Sequence, residues 1–243
     1  MPRTPLIAAN WKMNPLPEGA LEKDSAYRPQ SGIETIVFPT FLDLKSCLEA
    51  GLPAGAQYGH PDSVGAHTGD VSMTMLKKAG CQFVLCGHSE RRRDHREEDS
   101  DVVAQAESAL RNGLHPVICV GETESERKTK RHKQVVERQV RILPLREIVT
   151  IAYEPVWAIG TGVTPTPEQA QDMHAFIRSL IPEARRATTR ILYGGSLNPE
   201  NALELLQQPD IDGGLVGGAS LRPDEFKKIV TAALVRLSGQ HRP

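Results

Sequence analysis

The sequence predicts an α/β fold, a single-domain (β/α)₈ barrel over residues 1–243 with a parallel eight-stranded core and outer helices. Short apolar runs recur eight times, and each is followed by a loop and a helix-like segment. The runs are apolar throughout rather than alternating with polar residues, which is typical of parallel strands buried on both faces. No linker or low-complexity stretch interrupts the pattern. Eight uninterrupted units favour a closed barrel of ordinary length over an open, doubly wound sheet.

The strand candidates are apolar runs bounded by glycine, proline or polar residues. In chain order they are Leu6–Ala9, Thr35–Phe38, Ala54–Gln57, Phe83–Cys86, Pro116–Val120, Val149–Tyr153, Ile191–Tyr193 and Leu215–Val216. In such a barrel the carboxyl ends of all eight strands meet at one rim, so functional side chains are expected there.

Helix start signals follow several of these runs. Thr166 and Gln169 form a capping box around a proline in the first turn, and Asn198-Pro199 repeats the cap-then-proline pattern. The last helix carries an apolar stripe that must pack against the barrel, formed by Phe226, Ile229, Val230, Ala233, Leu234 and Leu237.

Composition and charge argue against several classes of partner. A net charge of −1, with 24% charged and 39% hydrophobic residues, predicts neither nucleic acid nor a membrane as a partner. The basic run from Arg127 to Lys133 is interpreted as a solvated helix face, with a localisation or polyanion signal as the alternative. The N-terminus lacks a hydrophobic signal core, and the four cysteines show no paired-ligand spacing. Reduced thiols and a cytoplasmic location are therefore expected.

Glu154 stands where a buried strand ends and a glycine-rich loop begins. Pro155 cannot extend the sheet, so the chain leaves it there and continues through Gly160 and Gly162. Catalytic groups of parallel barrels lie at this carboxyl edge. A carboxylate on a rigid strand end, followed by a flexible flap, suits proton transfer under a lid. The alternative is a solvated glutamate at the start of a loop.

Two further titratable side chains follow other strands. Lys12, after the first strand, suits an anionic substrate or negative charge that develops during reaction, although a lone lysine is more often a surface residue. His88, after the fourth strand, opens a helical turn, whose N-terminus disfavours a protonated imidazole. A structural histidine is the alternative. His95 is an unconvincing second metal ligand, and no Gly-x-Ser-x-Gly elbow supports a hydrolase triad.

Two glycine pairs follow the last two strands. Gly194-Gly195-Ser196 comes after the seventh strand and Gly217-Gly218 after the eighth. Glycines leave backbone amides accessible near helix starts, and in such barrels the loops after these two strands bind phosphate. No dinucleotide fingerprint or Walker loop is present, so the phosphate is expected to belong to the substrate.

These motifs, in this order, resemble those of the triosephosphate isomerase family, whose fold is the TIM barrel. The resemblance spans essentially the whole chain, through Asn10–Asn14, Gly87–Arg92, Cys119–Thr123, Ala152–Gly162, Tyr193–Ser196 and Leu215–Leu221. It implies interconversion of dihydroxyacetone phosphate and D-glyceraldehyde 3-phosphate through an enediolate, a reaction of glycolysis and gluconeogenesis. The chemistry is proton transfer, so neither a metal nor an organic cofactor is implied.

The resemblance also implies catalytic roles. Glu154 would remove the proton and return it to the neighbouring carbon. His88, as a neutral ring, would polarise the carbonyl and shuttle protons between the two oxygens. Lys12 would stabilise the negative charge, and Asn10 would help to position the substrate.

Further residues are implied to support this reaction. Ser89 and Glu90 would support the acid–base groups, while Tyr193 would latch the closed lid formed by residues 155–166. The phosphate would be held by groups at Asn10, Lys12, Gly160, Ser196, Gly217 and Gly218.

The loop over residues 58–72 resembles the family loop that inserts into a partner subunit. It implies a homodimer in which Thr68 approaches the Lys12 and His88 region of a second copy. The chain also departs from the family pattern. Val163 stands where a lysine is common at the lid hinge, and proline and glycine over residues 15–32 predict a short or broken first helix.

Two other functions stay open. A non-catalytic barrel that binds sugar phosphates would keep the glycine pairs while tolerating changes at Glu154, His88 or Lys12. A different phosphate-handling barrel enzyme would lack the Glu154–Gly162 segment. Both are disfavoured because all of these residues are present.

Overall fold

The computed structural model describes residues 3–159 and 164–239, and the side chains of the last helix as far as residue 235. Its strands are β1 (Leu6–Asn10), β2 (Glu34–Phe38), β3 (Gly55–Ala56), β4 (Phe83–Cys86), β5 (His115–Val120), β6 (Thr150–Tyr153), β7 (Arg190–Tyr193) and β8 (Gly213–Val216). They form one sheet in the order β2-β1-β8-β7-β6-β5-β4-β3. Each strand overlaps its predicted run, so the predicted strand positions are confirmed.

A bridge between β2 and the residue before β3 brings the two ends of the sheet together. Val37 pairs in parallel with Ala54, and the Val37 amide donates a hydrogen bond to the Pro53 carbonyl at 2.9 Å. The other neighbouring strands also pair in parallel. The sheet is thus a nearly closed barrel surrounded by helices, and the predicted (β/α)₈ TIM-barrel architecture is confirmed.

The strands are apolar on both faces because each face covers a different core. In β1, Leu6 and Ala8 belong to the cluster inside the barrel, whereas Ile7 and Ala9 belong to the larger cluster beneath the helices. The inner cluster consists of Leu6, Ala8, Ile36, Phe38, Leu85, Val117, Cys119, Ala152, Leu192 and Leu215. This double burial explains why a continuous apolar run, rather than an alternating one, predicted each strand.

The outer layer consists of α1 (Phe41–Glu49), α2 (Met73–Ala79), α3 (Ser89–Asp94), α4 (Asp99–Arg111), α5 (Glu124–Lys128), α6 (His132–Arg141), α7 (Pro167–Leu180), α8 (Glu183–Arg186), α9 (Ala202–Leu206) and α10 (Pro223–Gly239). Short 3₁₀ turns follow β6 at Val156–Ala158 and β8 at Gly218–Leu221. Within the described ranges, none of the helices has both the length and the apolar character needed to cross a membrane.

The segment between β1 and β2 contains no α-helix over residues 11–33, all of which are described. The sequence predicted a short or broken helix here, and the structure goes further, because the helix is absent. Aromatic side chains fill the space instead. The ring of Tyr27 stacks on Phe226 of α10 at 4.8 Å and meets Trp11 edge-on at 5.2 Å. All three side chains are fully buried, so this irregular segment is anchored to the barrel.

Two helix starts test the capping predictions. At the start of α7 the side chain of Thr166 accepts a hydrogen bond from the Gln169 amide, as predicted. The start predicted at Asn198 is wrong by one turn. Its side-chain oxygen accepts a hydrogen bond from the Asn201 amide at 3.0 Å, which closes a separate turn, and α9 begins only at Ala202.

The basic run does not form one helix face, so that interpretation is wrong. Helix α5 ends at Lys128 and α6 begins at His132. Between them Lys130 has a φ of 57°, in the left-handed region where an α-helix cannot continue. The run therefore crosses from one helix to the next.

The buried His174 makes the free energy of unfolding depend on pH. Burial lowers the pKa of His174 from 6.5 to about 4, while its Nδ1 lies 2.8 Å from the Ala170 carbonyl. Because the unfolded chain binds this proton more tightly, stability is complete above pH 6.5 and falls as the pH decreases towards 4. The free energy of unfolding can be measured with urea at fixed protein concentration between pH 4 and 6.5. Its slope against pH should be smaller by about 1.4 kcal/mol per pH unit in His174→Gln than in wild type. His95→Gln, at an exposed position, is the control; equal slopes in wild type and His174→Gln would contradict the prediction.

Candidate active site

A cleft of about 300 Å³ opens where the carboxyl ends of the strands meet. Its wall brings together predicted residues from the loops after β1, β4, β6, β7 and β8, namely Asn10, Lys12, His88, Glu154, Ser196, Gly217 and Gly218. Parallel strands deliver their loops to the same end of the barrel, which is why residues so distant in sequence converge. Gly160 lies outside the described residues.

Glu154 is held directly after β6. Its amide donates to the Val120 carbonyl at 2.7 Å, and the residue is only 2% exposed. Oε2 accepts a hydrogen bond from the Ser89 amide at 2.8 Å. Oε1 lies 3.1 Å from Nε2 of His88 and has no hydrogen-bond partner among the described residues. One carboxylate oxygen is therefore anchored, and the other is available to a substrate.

Two glycines allow this placement of Glu154. A Cβ on Gly121 would lie 1.8 Å from the Glu154 carbonyl oxygen, and one on Gly194 would lie 2.9 Å from its Cγ. Any side chain at Gly121 would push the strand end outward. The sequence indicates a turn at each glycine, but only the packing shows that both are in contact with the carboxylate residue.

His88 caps the N-terminus of α3, as the sequence predicted. Its Nδ1 accepts a hydrogen bond from the Glu90 amide at 3.3 Å. A ring nitrogen that accepts cannot carry a proton, so this hydrogen bond assigns the proton of the neutral ring to Nε2. Nε2 is the atom that lies beside the Glu154 carboxylate. The imidazole thus presents a donor to the cleft while its other nitrogen is fixed by backbone.

Lys12 adopts a left-handed backbone conformation with a φ of 51°, which is uncommon for a residue other than glycine. Two hydrogen bonds hold it there. Its amide donates to Oδ1 of Asn10 at 3.0 Å, and its carbonyl accepts from the side chain of Gln57 at 2.8 Å. Nζ lies 2.6 Å from Oε1 of Glu90. Gln57 was not predicted as a site residue, because no local pattern shows that its amide reaches back to the first loop.

The turns after β7 and β8, where the sequence predicts phosphate binding, contribute backbone and hydroxyl groups to the cleft. Gly217 precedes the 3₁₀ turn, and a Cβ on Gly218 would meet nothing within 4 Å, so the space beside it is open. Ser196 donates from Oγ to the Ala158 carbonyl at 2.5 Å and so links the loop after β7 to the 3₁₀ turn after β6. Tyr193 is buried beneath that loop, and its hydroxyl has no hydrogen-bond partner among the described residues.

Glu122 is a buried carboxylate that sequence reasoning assigned only to a motif. Its Oε1 accepts hydrogen bonds from Trp157 Nε1 at 2.9 Å and from the Tyr153 hydroxyl at 3.1 Å, and it is paired with Arg127 at 3.3 Å. Trp157 belongs to the 3₁₀ turn that follows β6. Glu122 therefore ties the beginning of the predicted lid to the barrel wall.

Cys119 lies beside Glu154 inside the barrel. Burial, reinforced by the negative charge of Glu154, raises the pKa of the Cys119 thiol well above its usual range. A thiol that stays protonated is not a nucleophile. The available chemistry of the cleft is therefore that of Glu154, His88 and Lys12.

The chain is similar in sequence to known proteins. The triosephosphate isomerase family model matches residues 5–233. The chain is 49% identical to the triosephosphate isomerase of Chromohalobacter salexigens, with 95% of this chain and 99% of that protein covered. It is 42% identical to the triosephosphate isomerases of Coxiella burnetii, covering 94% and 97% of the two chains, and Endomicrobium trichonymphae, covering 94% and 98%. The match spans nearly the whole barrel, and the chain belongs to the triosephosphate isomerase family.

Proposed function

We infer that this chain is an aldose–ketose isomerase that interconverts dihydroxyacetone phosphate and D-glyceraldehyde 3-phosphate. The observation that carries the inference is Oε1 of Glu154, which has no hydrogen-bond partner in the described part of the chain and is buried in a cleft beside Nε2 of His88. A positioned carboxylate next to a neutral hydrogen-bond donor is what proton abstraction beside a carbonyl requires. Membership of the family supports the same reaction.

The proton transfers follow from this arrangement. Glu154 takes a proton from the hydroxymethyl carbon of dihydroxyacetone phosphate, and the electrons of that C–H bond form the carbon–carbon double bond of an enediolate. The carboxylic acid then returns the proton to the former carbonyl carbon, which produces the aldehyde. His88 donates from Nε2 to the substrate oxygens and moves the second proton between them. The reaction consumes no external oxidant or reductant.

Charge and positioning are assigned to the first loop. Lys12 carries its ammonium group to the rim, where it attracts the phosphate dianion and stabilises the enediolate. Its ion pair with Glu90 keeps the ammonium group at the cleft before substrate arrives. Asn10 holds the Lys12 amide and lines the cleft beside it. Ser89 supports the reaction by holding Oε2 of Glu154, so that Oε1 does the chemistry.

The phosphate is assigned to the turns after β7 and β8. Backbone amides of Gly217 and Gly218 and the loop at Ser196 line the same cleft as Glu154. Gly160 is proposed as a further amide donor from the lid. Tyr193, whose buried hydroxyl is without a partner among described residues, is proposed as the latch of the closed lid.

We propose further that the chain is a single barrel domain over residues 1–243 and works in the cytoplasm. The continuous eight-stranded sheet supports one domain, and four buried free cysteines suit a reducing compartment. Proton transfer by Glu154 and His88 needs neither a metal nor an organic cofactor.

A coupled assay tests the function directly. Purified chain, dihydroxyacetone phosphate and a dehydrogenase that consumes glyceraldehyde 3-phosphate should give turnover in the range of well-evolved enzymes. Binding of the substrate without turnover would instead establish a non-catalytic sugar-phosphate binder. Turnover of a different phosphorylated substrate alone would establish another barrel enzyme.

Gly218→Ala tests the phosphate assignment. The new methyl group meets no protein atom within 4 Å, so the fold should be retained while the methyl occupies the space proposed for phosphate. The inhibition constant of inorganic phosphate and the KM should both rise about tenfold or more, which is the loss of about one charge-assisted hydrogen bond. Gly51→Asn, in an exposed left-handed turn after α1, is the control. An unchanged phosphate inhibition constant in Gly218→Ala would remove this turn from the phosphate site.

A second cleft supports the proposal of a homodimer. It has a volume of about 470 Å³, shares Lys12 and His88 with the active-site cleft, and is also lined by Met13 and Phe41. Met13 is 94% exposed, which is unusual for an apolar side chain of this size. We propose that a second copy covers it with the loop over residues 58–72.

That loop is preformed for such a role. His67 lies 3.2 Å from Asp62 and stacks on His60 at 3.9 Å, so contacts within the loop shape it. Its outer side presents Val64, 79% exposed, and the exposed Thr68. We propose that these residues enter the second cleft of another copy. Long ordered loops in compact barrels usually serve such functions.

Sedimentation velocity tests the dimer. The chain should sediment as a dimer at micromolar concentration, and Thr68→Arg should sediment as a monomer with reduced activity, because a buried unpaired charge opposes association. Ile148→Arg, at a position 64% exposed, is the control and should remain dimeric. A fully active monomeric wild type would refute the proposal, whereas a tetramer of dimers would not.

A further inference from the structure

The segment that replaces the first helix reaches the phosphate side of the barrel through one side chain. Tyr27 is fully buried, and its ring lies between Trp11 and Phe226. Trp11 immediately precedes Lys12, and Phe226 lies in α10, which follows the turn after β8. The ring therefore lies between the residue that precedes Lys12 and the helix that follows the turn after β8.

The hydroxyl group of Tyr27 makes a specific long-range contact. It donates a hydrogen bond to the carbonyl oxygen of Ser220 at 2.6 Å, across 193 residues of sequence, and Ser220 is itself fully buried. Burial raises the pKa of Tyr27, so the phenol keeps the proton that this hydrogen bond needs. At 2.6 Å this is a short hydrogen bond by the standards of O–H···O contacts.

Ser220 in turn shapes the turn that carries Gly217 and Gly218. Its amide and its Oγ both donate to the Gly217 carbonyl, at 2.8 Å and 2.7 Å. Those two hydrogen bonds fix the peptide that follows Gly217, which carries the Gly218 amide. A shift of Ser220 would therefore turn that amide away from the cleft.

We propose that Tyr27 is a positioning residue for the phosphate site, holding the Gly217–Ser220 turn in place through the Ser220 carbonyl. The proposal rests on the assignment of phosphate to this turn. Tyr27 touches neither substrate nor reacting atoms. It acts by fixing where the amides point, and a preorganised donor binds an anion more tightly than one that must reorient. In this chain the segment without a helix thus has a task at the active site.

Tyr27→Phe removes only the hydroxyl group and keeps the stacked ring. The inhibition constant of inorganic phosphate and the KM for dihydroxyacetone phosphate should each rise about fivefold, the effect of losing one hydrogen bond, with kcat nearly unchanged. Turnover of glyceraldehyde, which carries no phosphate, should stay the same. That substrate separates a phosphate-specific effect from general damage to the barrel.

Thr35→Val is the matched control. The Thr35 hydroxyl donates to the backbone carbonyl of Tyr27 at 2.8 Å, so this variant loses a buried hydrogen bond of the same segment without touching Ser220. It should lower the temperature of unfolding while leaving the phosphate inhibition constant unchanged. All assays are run well below each variant's unfolding temperature, so a loss of stability alone does not alter them.

Four outcomes separate the possible failures. A phosphate inhibition constant in Tyr27→Phe equal to that of wild type overturns the positioning role. So does an equal increase in Tyr27→Phe and Thr35→Val, which would indicate general loosening of the segment. If Gly218→Ala also leaves the inhibition constant of inorganic phosphate unchanged, the assignment of phosphate to this turn fails as well. If Gly218→Ala raises it and Tyr27→Phe does not, only the role of Tyr27 is lost.

Discussion

Glu154→Asp should lower kcat by about 10²- to 10³-fold while the inhibition constant of inorganic phosphate stays close to that of wild type. The shorter side chain withdraws the carboxylate by about one C–C bond from the carbon that loses its proton. The Ser89 amide, which now holds Oε2 at 2.8 Å, would hold the retracted carboxylate still further back. The phosphate contacts proposed for the turns after β7 and β8 do not involve the Glu154 carboxylate, so the loss should appear in the transition state and not in binding.

Steady-state kinetics of both directions measure this effect. Glu107→Asp, at an exposed position on α4, makes the same chemical change away from the cleft and should retain full activity. A Glu154→Asp variant with near-normal kcat would remove Glu154 from the mechanism. Loss of phosphate inhibition together with kcat would instead indicate a disturbed cleft.

His88→Gln should lower kcat by about 10²-fold, the typical contribution of one acid–base group. Glutamine can donate a hydrogen bond to the carbonyl, so polarisation is partly kept. It cannot accept and release a proton between the two substrate oxygens, so the enediolate has no shuttle. The Nδ1 contact with the Glu90 amide is also lost, which frees the beginning of α3.

The same experiment examines the absence of a metal requirement. Wild-type activity should survive exhaustive chelation, and no divalent ion should rescue His88→Gln. His95→Gln, exposed seven residues further on, should behave like wild type. Activity that disappears with a chelator and returns with zinc would overturn the cofactor-free assignment.

Local patterns were sufficient for the strands. Both ends of β4 (Phe83–Cys86) were predicted correctly. A four-residue apolar run between a polar residue and a glycine is too short for a helix and is typical of a buried strand. The cap of α7 was equally local, since Thr166 and Gln169 satisfy each other's backbone within one turn. The start of α9 was not predicted correctly from local sequence, because an Asn198-Pro199 pair can form an isolated turn as readily as it can begin a helix.

In the candidate site, too, some features are readable from the sequence and others are set only by packing. By itself the sequence determined the barrel class, the positions of its strands and the identity of Glu154, His88 and Lys12 as residues that follow strands. These depend on residue type and on position relative to a strand end, and both are readable along the chain. Strand order then brings the residues to one rim.

Tertiary structure alone decided what holds those residues. Gln57 reaches Lys12 across 45 residues, Glu122 reaches Trp157 across 35, and Tyr27 reaches Ser220 across 193. Such contacts depend on side-chain directions that are set only when the barrel packs, and periodicity along the chain carries no information about them. The reacting groups are thus a property of the sequence, whereas their orientation is a property of the folded barrel.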